Sequence, residues 1–117
     1  MSKKILIIED EEDVRTYLVT LLQKEGYETV TASDGVQGLE VAKREVPDLI
    51  TLDLQMPKDT GTDFYRKMHR DDRLGQIPII VISGIPGRHL AVKKPIAVFE
   101  KPIDKDRLVE VIKEAIG

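Results

Sequence analysis

Three short apolar runs constrain this chain more than any other feature: Ile5-Leu-Ile-Ile8, Leu49-Ile-Thr-Leu52 and Pro78-Ile-Ile-Val-Ile82. Each is too short for a buried helix and lacks the alternation of a strand with one wet face. Each therefore reads as a strand buried on both sides, with Pro78 at the tolerated first position of the third. The fold that buries strands in this way is a parallel sheet with helices packed on both of its faces.

The segments between the runs fit that demand. Val14, Leu18, Leu21 and Leu22 recur at helical spacing and stop at Gly26. Tyr27 to Ala32 alternates, as a strand near a sheet edge would. Ser33 or Asp34 can cap a second helix whose buried face is expected to carry Val36, Leu39, Ala42 and Val46, broken by Pro47. Gly61 frames a third helix with Phe64, Met68 and, as a further candidate, Tyr65 facing inward. Ile96 to Phe99 forms a fifth strand, and Asp104 caps a last helix carrying Leu108, Val109, Ile112 and Ala115 or Ile116. The order is (βα)5, an α/β single domain with a doubly wound parallel five-stranded sheet. Interior strands 1, 3 and 4 and an edge strand 2 predict the order 2-1-3-4-5, with a switch point between strands 1 and 3. Residues 84–95 carry Pro86, Gly87 and Pro95 around only a few helix-compatible positions, so the fourth helix is expected to be short or irregular.

The chain has 117 residues, and at roughly 150 residues per domain this predicts a single unit spanning 1–117. Twenty-one acids against 18 Lys and Arg give a net charge of −3, which argues against nucleic acid as a direct partner. With no cysteine, disulfide scaffolds, Cys–zinc sites and cysteine nucleophiles are excluded. The apolar runs are too short to cross a membrane, and the N-terminus lacks the core of a signal peptide. A soluble, cytoplasmic protein is the expectation.

The polar residues that fall at the carboxyl ends of the strands are Glu9 and Asp10, Asp53, Ser83 and Lys101. Singly, each reads as an ordinary surface acid, turn residue or strand-end lysine. Together, on the rim where such folds bind ligands, they form a specific set. Three carboxylates at close range against one lysine require a further cation, and few carboxylates with room for water suit Mg2+. A carboxylate at the switch point can attack phosphorus to form an acyl phosphate, with the lysine and hydroxyl holding phosphoryl oxygens. No competing apparatus is visible: His69 and His89 fall away from this rim, and no Walker A loop, GxGxxG or HExxH is present.

With Ile5-Leu-Ile-Ile-Glu-Asp-Glu, Asp53-Leu-Gln-Met-Pro followed by Gly61, Ile82-Ser-Gly and Phe99-Glu-Lys-Pro in order, the chain resembles the receiver domains of two-component response regulators over essentially its whole length. The resemblance implies a flavodoxin-like fold and Asp53 as phosphoacceptor, charged by a histidine kinase or histidine phosphotransfer protein. It implies Mg2+ held directly by Asp10, Asp53 and the backbone carbonyl of Gln55, with Glu9 acting through water. Lys101 would pair with phosphoryl oxygens, and Ser83 would swing to bond one of them, changing the surface offered to a downstream effector. Gln55 and Ile85 would flank the path of an attacking water, while Met56-Pro57 fixes the loop after the third strand. Such a domain is regulatory, catalysing only its own phosphorylation and dephosphorylation. The residues up to Gly117 carry no output segment, so output is expected from an effector protein or domain, whether the chain is a free-standing regulator, a phosphorelay shuttle or a piece of a larger protein; dimerisation is left open.

The sequence departs from the family in three places. Val98 stands where an aromatic residue usually precedes the lysine by three positions, with Phe99 one step later on the other side of the strand. The stretch between Ser83 and Lys101 is short, and Glu9 replaces the more usual Asp. The alternative reading is therefore a degenerate receiver-like interaction module with unconventional switching. A free-standing aspartyl-phosphate hydrolase is disfavoured, because Gln55 occupies the place of its second Asp.

Overall fold

The computed structural model describes residues 2–55, 60–83 and 95–117. The elements run β1 (Lys4–Ile8), α1 (Glu12–Lys24), β2 (Glu28–Ala32), α2 (Gly35–Glu45), β3 (Leu49–Asp53), α3 (Thr60–Arg70), β4 (Ile79–Ser83), β5 (Ala97–Glu100) and α4 (Lys105–Ile116). The strands form one sheet in the order β2-β1-β3-β4-β5, and every pairing is parallel, as the buried apolar runs require. The expected short helix of residues 84–95 lies outside the described residues, apart from Pro95.

Strand alternation sorts the core into two halves. Leu6, Ile8, Ile50, Leu52, Ile79 and Val81 face α2 and α3, where Val41, Ala42, Phe64 and Met68 meet them and Tyr65 packs at the margin. Ile5, Ile7, Leu49, Ile80, Ile82 and Phe99 face α1 and α4, against Leu18, Leu22, Leu108, Val111 and Ile112. Both expected cap residues act as such: Asp34 accepts from Gln37 N at 2.8 Å and Asp104 from Arg107 N at 3.1 Å. At the other end of α1, Gly26 takes φ +94°. The Gly26 N–H then bonds Gln23 O at 3.0 Å and Tyr27 N–H bonds Leu22 O at 3.1 Å, a Schellman closure sealed by burial of Tyr27 and Leu22 in the same core half.

The sheet-facing side of α2 differs from the expected one. Gly35, Gly38, Val41 and Ala42 are buried, with Leu39 partly so, while Val36 and Val46 are exposed. The cause is close packing against β1. A Cβ on Gly38 would lie 2.6 Å from Ile8 Cδ1 and 3.4 Å from Phe64 Cδ1, so this helix approaches the sheet on its smallest residues. Val46 leaves the helix altogether: Pro47 disfavours helical backbone before it, and Val46 turns left-handed at φ 41° with its side chain in solvent. On α4, Val111 takes the inward place expected of Val109.

A branched side chain at position 38 has to displace Ile8 from the floor of the core. Gly38→Val is expected to lower the unfolding free energy by about 1–3 kcal/mol, read as a drop in the urea midpoint at unchanged slope, whereas Val36→Thr should leave it nearly unmoved.

Candidate functional site

The same alternation that builds the core delivers the site. On β1 the α1-facing positions are Ile5 and Ile7, and the next is Glu9; on β3 they are Leu49 and Thr51, and the next is Asp53; on β5, Phe99 leads to Lys101. Since Ile8 pairs with Leu52, Glu9 stands one step further on, beside Asp53. The chain then turns, bringing Asp10 to the same point. One oxygen from each of Glu9, Asp10 and Asp53 lies within 4.8 Å of the others.

This is a dry place for charge. Glu9 and Asp53 are each 1% exposed, and Asp10 is half-buried. The Lys101 ammonium lies 3.3 Å from Asp53 Oδ2 and 3.7 Å from Glu9 Oε1. The other oxygen of Asp53, Oδ1, accepts from the backbone N–H of Gln55 at 2.7 Å, and Glu9 Oε2 accepts from Glu11 N–H at 3.1 Å. Burial works against the charge on Lys101, but Asp53, Glu9 and Glu11 outweigh it and hold the ammonium above its ordinary pKa. Glu9 moves further. Burial first, and then the hydrogen bond that protonated Glu9 can donate to Asp53 and the repulsion between the two carboxylates, push its pKa up to about 8 against the pull of Glu11 N–H and Lys101.

One lysine therefore does not satisfy three carboxylates. Among the described residues, Glu9 Oε1 and Asp10 Oδ1 are buried without a hydrogen bond, although Lys101 faces Glu9 Oε1 at 3.7 Å, which is the signature of a site completed by something else. A hard cation with oxygen ligands fits that donor set.

Of the residues singled out from sequence, Glu9, Asp10, Asp53 and Lys101 meet here. The Gln55 backbone touches Asp53 while its residue is exposed, and Ser83, 2% exposed at the end of β4, joins the group through its carbonyl, which accepts from Lys101 N at 3.3 Å. His69 stands apart on α3, stacked on Tyr65 with ring centroids 5.6 Å apart. Met56, Pro57, Ile85 and His89 lie outside the described residues. Two participants escaped the sequence reading. Glu11 places its carboxylate 3.7 Å from Lys101, a role that the acidic run Glu9-Asp-Glu could have signalled. Arg15 donates to Glu9 O at 2.8 Å, and nothing in the sequence distinguishes it from an ordinary exposed helix cation.

The family profile described as "Response regulator receiver domain" matches residues 5–113. The polar-differentiation response regulator DivK of Brucella anthropi is 31% identical over 121 residues, covering 100% of this chain and 98% of DivK. Protein Rrf1 of Nitratidesulfovibrio vulgaris is 28% identical over 117 residues, covering 100% of this chain and 85% of Rrf1. Among solved structures, the chemotaxis protein CheY4 of Vibrio cholerae superposes with a TM-score of 0.88 at 25% identity, over 98% of this chain and 99% of that one. The receiver domain of the sensor histidine kinase PA1611 of Pseudomonas aeruginosa, solved with a magnesium ion in its active site cleft, shares the fold with a TM-score of 0.90 at 24% identity, over 100% and 99% of the two chains.

Folded Glu9 keeps a proton that the unfolded chain releases near the ordinary value of 4.5. Its contribution to stability is complete below that value and disappears as pH rises through about 8. Metal-free protein is expected to lose stability to urea between about pH 5 and about pH 8.5, and Glu9→Gln is expected to flatten that slope. Equal slopes for the two proteins would assign the buried proton to another group.

Proposed function

We propose, for a chain that belongs to the response regulator receiver domain family, that Asp53 is its phosphoacceptor and that residues 1–117 form one receiver unit around it. The observation that carries this reading is the placement of Asp53. It is buried at the end of the central strand, with one carboxylate oxygen fixed by Gln55 N–H and the other facing Lys101. Receiver domains are regulatory partners of histidine kinases, phosphotransfer proteins and effectors, and a phosphohistidine on such a protein is the donor proposed here.

In the transfer, a carboxylate oxygen of Asp53 forms the new bond to phosphorus while the phosphorus–nitrogen bond of the donor breaks, leaving the partner's imidazole. Lys101, already within hydrogen-bond reach of Asp53, passes to a phosphoryl oxygen and stabilises its charge. Ser83, buried at the end of the neighbouring strand, would supply a hydroxyl to a second phosphoryl oxygen. Glu9, Asp10 and Asp53, with the Gln55 carbonyl, would hold Mg2+, which when bound neutralises charge on the phosphoryl oxygens. The buried oxygens of Glu9 and Asp10 that lack a hydrogen bond among the described residues support that assignment.

The response to phosphorylation is proposed to run through Ser83 without an aromatic partner on β5. Val98 occupies that position and is exposed, whereas Phe99 is packed into the core beneath α4. The cytoplasm, where acyl phosphates and kinase phosphohistidines are formed, is the compartment this function requires.

Incubation with Mg2+ and a small acyl-phosphate donor should add one phosphoryl group to the intact protein by mass. A chelator or Asp53→Asn should abolish the adduct, and Lys101→Met should slow its formation by about a hundredfold. An adduct that persists on Asp53→Asn, or none on the wild type, overturns the assignment.

A further inference from the structure

Glu9 and Asp10 are consecutive, so along a regular strand their side chains would point to opposite faces of the sheet. Both carboxylates reach Asp53 only because the backbone turns directly after β1. Glu9 N–H makes a last ladder bond to Ala32 O at 3.0 Å, and the chain then leaves the sheet. The carbonyl of Glu9 at that turn accepts from Arg15 Nη1 at 2.8 Å, and the carbonyl of Asp10 makes a longer contact of 3.5 Å with the same nitrogen.

Arg15 is an unusual residue to find there. It lies one turn into α1, behind the acidic first-turn residues Glu12 and Asp13, at the helix end where the dipole disfavours a cation. Helical side chains lean toward the N-terminus, which carries the guanidinium back over the turn. Among the described residues the guanidinium bonds no carboxylate; its contacts there are with backbone oxygens of the residues that bear the carboxylates. A charge-assisted bond to the Glu9 carbonyl, with a weaker contact to the next one, restrains the rotation of the peptide between them, and so the directions of the side chains on either side.

We propose that Arg15 is a positioning residue for the cation site, clamping the Glu9–Asp10 turn so that both carboxylates meet Asp53. The inference rests on the reading of these three acids as the Mg2+ site. It opposes the simplest electrostatic expectation, in which a nearby positive charge weakens cation binding and its removal strengthens it.

Calorimetric titration of the full chain with Mg2+ separates the two. Arg15→Ala is expected to weaken Mg2+ binding by about tenfold, the lower end of the effect of losing a group that orients a metal ligand. Arg15→Lys and Arg15→Gln, which keep a donor on a shorter arm, are expected to restore part of that loss. A purely structural role would lower the thermal midpoint in chelator and leave Mg2+ affinity where it was. Unchanged affinity in Arg15→Ala, or tighter binding in both neutral variants, overturns the proposal. Asp10→Asn serves as the control for the site itself: binding that survives it, or no binding by the wild type, overturns the cation reading and this inference with it.

Discussion

The parallel pairing of β1 with β3 forces two carboxylates together, and the remainder of the site answers that repulsion. Ile8 and Leu52 are partners in the centre of the sheet, so the residues that follow them, Glu9 and Asp53, emerge side by side into a space that excludes water. Burial there pushes the Glu9 pKa up, and the neighbouring Asp53 carboxylate adds to the effect. The protein meets this in two ways. Lys101 arrives from β5 on the same face by the same alternation, and Glu9 retains its proton well beyond the ordinary carboxylate range. Both responses are reversible, because a lysine can move to a new anion and a proton can leave when a cation arrives. A site balanced this way suits a domain whose function is to be charged and discharged.

The apolar architecture serves that placement. Two core halves lock the sheet from both sides, which fixes strand register to the residue and therefore fixes which acids meet. The close approach of α2 at Gly38 sets it against Ile8, the last residue before the acidic turn, and Phe64. On the opposite face, α1 is anchored by Leu18 and Leu22 and ended by the Gly26 closure. Its first turn is thereby held over the end of β1, where Arg15 reaches the Glu9 carbonyl. The helices do more than cover the sheet, since their ends set the geometry of its rim.

Much of this was legible in the residues alone, and for identifiable reasons. A buried run such as Ile5 to Ile8 announces its strand without help from its neighbours. Strand ends in a doubly wound sheet share one rim, so Glu9, Asp10, Asp53, Ser83 and Lys101 could be gathered before any distance was known. Caps are short-range, and Asp34 and Asp104 both hold the positions that their sequence neighbours predict. Helix faces were less secure. For α2, counting apolar residues favoured Val36 and Val46, whereas the sheet selected the glycines, because steric fit between distant segments decides which stripe turns inward.

The sequence by itself determined the order of strands and helices, their arrangement in the sheet and the list of groups on its rim. These follow from local periodicity and from the few ways a parallel sheet can be covered. Only the tertiary structure decided that Glu9 carries the shifted proton, that Glu11 shares Lys101, and that Arg15 grips the turn between two acids. Those outcomes depend on distances of a few ångströms and on the exclusion of water between segments far apart in the chain. Neither quantity is written in any local pattern of residues.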